Sequence, residues 1–273
     1  MKFKDKIINH LTDYKKRTFP NIPNGKHKSL EYGHILPKLH QCKNLTEAYR
    51  DDFLESGLLC NLKLHMCFNH LNSSQAMCFN FFYPLLKEKK LELVLECLGL
   101  KNEIVDYETC YFEKESDIDG TGNRRPTNFD FYLATSSEIK IHFEIKYSEQ
   151  EFGGAKDDKE HSEKYGLIYE GVSKASIKPE FANIKEFLKN YQIMRNLIHL
   201  SKNSYVVFIY PAENEKIREK AEYAKVNFVK AEYEQNVINV TWEELFTFVQ
   251  DKIPDANVKL LRQMKEFKEK YII

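Results

Sequence analysis

The run Phe129-Asp130-Phe131-Tyr132-Leu133-Ala134, the turn Thr135-Ser136-Ser137 and the run Glu138 to Tyr147, which ends Ile141-His142-Phe143-Glu144-Ile145-Lys146-Tyr147, decide how this chain reads. Both runs are rich in aromatic and β-branched residues, and a short polar segment separates them. That pattern predicts an antiparallel hairpin. Side chains alternate across a strand, so His142, Glu144 and Lys146 share one face while Ile141, Phe143, Ile145 and Tyr147 share the other. The turn brings Asp130 beside Glu144. Asp130 stands between two phenylalanines, and an acid in such surroundings needs a partner.

Two carboxylates in that position repel each other and favour a bound divalent cation. All-oxygen ligands suit Mg²⁺ or Mn²⁺. Asp130 and Glu144 are the candidate metal ligands, and the main-chain carbonyl of Ile145 can add a third oxygen. Such an ion polarises a phosphate and lowers the pKa of a bound water. Lys146 can orient or deprotonate that water, or stabilise the phosphate charge as a point cation.

Outward from the hairpin, residues 18–43 read as irregular and 44–71 as helical. A helix opens at Asn72-Ser73-Ser74-Gln75, where a short polar side chain can cap the free amides. Pro84 predicts a kink or a fresh helix start, the helical pattern then running from Leu85 to Leu98, with Gly99 closing it. Cys110 to Phe112 suggests a short strand and 116–123 a loop. Residues 149–178 are polar and predict a flexible excursion. Phe181 to Leu200 has one apolar face and predicts a single amphipathic helix. Tyr205 to Tyr210 predicts a buried strand, followed by a helix near 213–223, a strand near 225–231, and helices near 241–252 and 256–270. The order predicts an α/β fold with one mixed central sheet flanked by helices. Three segments are expected: a helical, basic region over 1–70, a core over 71–235 and a helical extension over 236–273.

Lysines and arginines equal the acids at 41 each over 273 residues. A zero sum argues against a purely electrostatic nucleic-acid binder but allows a local basic surface. Residues 1–50 supply one, with eleven basic residues against four acids. Lys and Arg near a duplex gain by counterion release, so this stretch is a candidate phosphate-contacting arm. No apolar run approaches the length of a membrane span, and the start lacks an apolar signal core. The six cysteines therefore read as reduced and the location as cytoplasmic. The spacing of Cys60, His65, Cys67 and His70 matches no common zinc site, and these residues read as buried helix positions instead.

The run Arg125-Pro126-Thr127-Asn128-Phe129-Asp130, then thirteen residues, then Glu144-Ile145-Lys146, resembles motifs II and III of the PD-(D/E)xK nuclease superfamily. Ser73 to Asn80 is similar to the first core helix of its restriction-endonuclease-like branch, and Tyr191-Gln192-Ile193-Met194-Arg195-Asn196 to the helix after the catalytic strands. The resemblance covers about residues 70–210. It implies a restriction-endonuclease-like core and a Mg²⁺-dependent (or Mn²⁺-dependent) DNA endonuclease of restriction or defence type, with homodimerisation possible and no membrane. Asp130 and Glu144 become metal ligands and Lys146 the catalytic lysine. Gln192 and Arg195 are expected to reach the phosphate or the site. Ser74 and Gln75 are the first-helix candidates, an amide standing where many members carry a third carboxylate. His142 reads as a bystander. The competing expectations are an inactive nucleic-acid-binding module of the same fold, or a ribonuclease.

Overall fold

The computed structural model describes residues 2–120 and 126–273; Arg125 and residues 121–123 of the expected loop lie outside them. In chain order the elements are α1 (Phe3–Thr18), β1 (Gly25–His27), β2 (Leu30–Tyr32), α2 (Glu47–Glu55), α3 (Ser74–Lys87), α4 (Glu92–Cys97), β3 (Val105–Glu115), β4 (Asn128–Thr135), β5 (Lys140–Ile145), α5 (Lys159–Lys164), α6 (Glu170–Ser176), α7 (Ile184–Lys189), α8 (Tyr191–Leu197), β6 (Ser204–Tyr210), α9 (Glu215–Tyr223), β7 (Val237–Thr241), α10 (Trp242–Asp251) and α11 (Val258–Tyr271). They fall into two compact units. One is the chain up to Asn102 together with Trp242–Ile273, and the other is Glu103–Thr241. Among the described residues, no helix is long and apolar enough to cross a membrane.

The first unit is helical apart from the β1–β2 hairpin. Its centre is α3, buried at every position from Gln75 to Leu85. A helix apolar all round must be enclosed, and the ring of Phe81 lies 5.3 Å from both Trp242 and Phe267. Ser73 caps this helix by accepting a hydrogen bond from the amide of Ala76. Pro84 does not break it. Proline removes the amide that would bond the carbonyl four residues back, here that of Asn80, and the Gln263 Nε2 on α11 takes that carbonyl at 2.5 Å. The helix ends instead after Lys87, where Lys89 takes a left-handed conformation, and α4 begins anew. Replacing Gln263 by Ala leaves the Asn80 carbonyl buried and unpaired, and is expected to cost roughly 1–3 kcal/mol in chemical denaturation.

The second unit carries a five-stranded mixed sheet in the order β3-β4-β5-β6-β7. β3, β4 and β5 form an antiparallel meander, with Phe131 opposite Phe143. β6 joins β5 in parallel, Glu144 beside Phe208, and β7 joins β6 in parallel. The predicted hairpin is therefore β4–β5, and the expected α/β class with one mixed sheet flanked by helices is what the chain forms. On the Glu144 side, Val206 and Phe208 share a core with Tyr169, Phe187, Ile193, Met194 and Leu197. β5 is buried from Ile141 onward, and burial continues through Lys146 and Tyr147.

Five local expectations change. Helix over 44–71 shrinks to α2, and Cys67 stands in an irregular segment, half-buried, with Cys60 exposed. The polar stretch 149–178 is irregular only up to Asp158, which caps α5; from there the chain stays helical to Ser176, with Tyr165 and Tyr169 among its buried contacts. The single helix over 181–200 is two, because Asn190 leaves helical geometry and its side chain bonds the carbonyl of Glu186 at 2.9 Å. Of the strand expected over 225–231, residues 225–228 instead continue the helical chain of α9 as a π turn, Val229 makes only a bridge to Ile177, and the sheet takes β7. The strand expected around Cys110 is longer, running the whole of β3.

Candidate metal and phosphate site

Glu144 and Lys146 stand on the face of β5 covered by α8. Their side chains are only 5% and 7% exposed, and Lys146 Nζ lies 2.8 Å from Glu144 Oε1. Charged residues buried this far are held by partners. Gln192 spans the pair: its Nε2 donates to Glu144 Oε1 at 2.8 Å, and its Oε1 accepts from Lys146 Nζ at 3.1 Å. Asn196, one helical turn on, donates to Glu144 Oε2 at 3.1 Å, and its own Oδ1 is buried without a partner among the described residues. The i, i+4 spacing of Gln192 and Asn196 puts both amides on one face of α8.

Asp130 faces this group from β4, accepting the amide of Ile145 on Oδ2 at 2.6 Å. Burial raises its pKa well above the usual carboxylate range, and the negative charges of Glu144 and Glu113 raise it further. Burial alone would lower the Lys146 pKa, but the carboxylates of Glu144, Glu149 and Asp130 raise it. Lys146 is thus held as an ammonium. Glu113 lies on β3 at a left-handed backbone position, after the register shift between Asp106 and Tyr111, and accepts from Asn128 Nδ2 at 3.1 Å. It is an acid near the hairpin that strand periodicity could not single out, because a bulge resets the alternation.

The expected residues separate into two groups. Asp130, Glu144, the Ile145 main chain, Lys146 and Gln192 come together. Arg195 does not join them: its Nη2 lies 3.0 Å and its Nε 3.2 Å from Asp119 Oδ2, with Nε also on Thr127 Oγ1 at 2.8 Å. Its guanidinium is an anchor for α8 rather than a phosphate clamp. Asp119 was hidden in an apparent loop, yet it is fully buried. It also takes the Thr127 amide at 2.8 Å, Lys164 Nζ at 3.3 Å and the Tyr169 hydroxyl. Burial opposes its charge, but the Tyr169 hydroxyl, the Thr127 amide and Arg195 hold its carboxyl far below the usual range.

Gln75 serves its own unit, accepting the amide of His65 at 2.8 Å and donating to the carbonyl of Lys63 at 3.2 Å. Ser74 is the first residue of α3, and the cap beside it is Ser73. His142 packs in an aromatic layer, its ring tilted against Phe129 at 4.4 Å and against His199 at 5.3 Å. Burial keeps it neutral by pushing its pKa well below 6.5.

A mixed sheet with two acids and a lysine where its antiparallel hairpin meets a parallel strand defines a restriction-endonuclease-like protein. The chain belongs to the family described as restriction endonuclease associating with ARP, which it matches over residues 9–272. Comparison with curated proteins finds no match, and comparison with solved structures finds none either.

Proposed function

We propose that this chain is a metal-dependent endonuclease that hydrolyses DNA phosphodiester bonds in a restriction or defence setting. The observation that carries the reading is the enclosed ion pair Glu144–Lys146 beside Asp130. Burial, and after it the charges of Glu144 and Glu113, raise the pKa of Asp130, and a divalent cation answers that electrostatic demand. Asp130, Glu144 and the Ile145 carbonyl would hold Mg²⁺ or Mn²⁺, hard cations suited to oxygen donors. When bound, the ion polarises the scissile phosphate and lowers the pKa of a ligated water.

The remaining work falls to this chain's side chains. The Lys146 ammonium would meet the charge that accumulates on a phosphate under attack, and a preplaced cation needs no reorganisation at that moment. Gln192 fixes the rotamers of both members of the pair, and Asn196 fixes the second oxygen of Glu144. Lysines and arginines of residues 1–50 supply backbone contacts to DNA, which position without reading sequence. A homodimer would cut both strands.

The test is incubation of supercoiled plasmid, single-stranded DNA and RNA with the full chain in Mg²⁺, in Mn²⁺ and in chelator. Metal-dependent DNA cleavage that Asp130→Ala abolishes is the expected result. DNA left intact by wild type in both metals would overturn the proposal, and cleavage confined to RNA would make the chain a ribonuclease.

A further inference from the structure

We propose that the first unit holds a zinc ion between His27, Cys67 and His70, separate from the nuclease site and independent of that reading. One ligand atom from each residue lies within 4.8 Å of the other two, and no other group of three His, Cys or acidic side chains meets that condition among the described residues. In a tetrahedral zinc centre the ligand atoms stand roughly 3.3–3.6 Å apart, given bond lengths of about 2.0–2.3 Å. Small side-chain rotations close the gap. The rings of His27 and His70 are 5.2 Å apart and perpendicular, so they do not stack.

The backbone around these residues is built, not loose. The amide of His70 bonds the carbonyl of Cys67 at 2.9 Å, which puts the two side chains on one tight turn. Asn44 Nδ2 donates to the carbonyls of Phe68 and His70 at 2.6 and 2.7 Å, and Asn69 Nδ2 to that of Leu36 at 2.5 Å. His70 bridges Ile35, and the Gly25 amide at the start of β1 bonds the carbonyl of Ile35 at 2.8 Å. The segment Ile35–Leu36 thus ties the start of the β1 strand that carries His27 to the turn that carries Cys67 and His70.

The donor set decides the metal. Two imidazoles and a thiolate are borderline-soft and suit zinc rather than magnesium. The Lys38 ammonium donates to the carbonyl of Met66, next to Cys67, and helps to hold that turn in place. His34 is 7% exposed, its ring lies 6.1 Å from that of His70, and its Nδ1 has no hydrogen-bond partner among the described residues. A zinc-bound water in the fourth position would give that nitrogen a donor. The ion also answers a structural need: strands of three residues are too short to stand alone, and small elements of this kind need a staple.

The experiment measures zinc by mass spectrometry on the full chain, purified without a polyhistidine tag and dialysed. Wild type and Asp130→Ala are expected to carry about one zinc per chain, and Cys67→Ser and His70→Ala under about one tenth. Cobalt substitution gives wild type a thiolate charge-transfer band, which Cys67→Ser loses while still melting cooperatively. Should that variant not fold, His27→Gln is read by the same zinc content and is expected to lose it. Wild type without zinc after reconstitution, or Cys67→Ser or His27→Gln binding as wild type does, would overturn the proposal.

Discussion

Lys146→Ala is expected to lower metal-dependent DNA cleavage by about 10²–10³-fold, the scale on which preplaced charge stabilisation acts. The lysine is enclosed and held within 2.8 Å of Glu144, so its loss is not made good by solvent or by a neighbouring cation. Arg195, the other cation expected at the site, is paired with Asp119. Single-turnover cleavage under saturating Mg²⁺ isolates the chemical step. A companion melt separates this from unfolding, because Glu144 keeps the donors Gln192 and Asn196. A rate within threefold of wild type would remove Lys146 from the chemistry. Lys146→Arg is expected to recover little, since a planar fork cannot stand in for a compact ammonium beneath Gln192.

Asp119→Asn is expected to destabilise the fold by about 3–5 kcal/mol, because it removes one partner of a buried ionic network and leaves the other charges uncompensated. Lys164 and Arg195 would keep their charges, with side chains only 6% and 15% exposed. The effect has a pH signature. The Asp119 pKa is depressed in the folded protein, so its stabilisation is fully present above the unfolded value of about 3.9 and fades as pH falls through the folded value. Denaturant melts of wild type and Asp119→Asn should differ by a constant amount from pH 7 down to about 4.5, and converge only in stronger acid. A difference that vanished near pH 6 would contradict this assignment. Cleavage should fall with stability, since Arg195 anchors α8, whose Gln192 and Asn196 amides hold Glu144.

The hairpin that carries the candidate site was legible because its signals are local. Period-two alternation placed Glu144 and Lys146 on one face, and a three-residue turn forced Asp130 next to them. Gln192 came into view through the resemblance carried by Tyr191 to Asn196, on a helical face beside the apolar stripe. Asn196 carried a signal that went unused, its four-residue spacing from Gln192. Gln75 illustrates the opposite case: its place at the start of α3 suggested a ligand, but its partners are the main-chain groups of Lys63 and His65.

The sequence by itself determined the strands of the hairpin, the central helix α3, the strand β6, and the identity of the acids and the lysine. Only the tertiary structure decided that the polar face of β5 is buried, that Arg195 belongs to Asp119, that Pro84 is tolerated because Gln263 serves the freed carbonyl, and that His27 meets Cys67 and His70. The reason is physical. Alternation and capping are set by neighbours along the chain, whereas a buried charge or a ligand set is completed by whichever distant segment the fold delivers. Asp119 and Arg195 are 76 residues apart, and Asn80 and Gln263 are 183 apart. The same holds for the hairpin itself: its two acids and lysine were readable from the chain, but their enclosure beneath Gln192 and Asn196 belongs to the packing of α8 on the sheet.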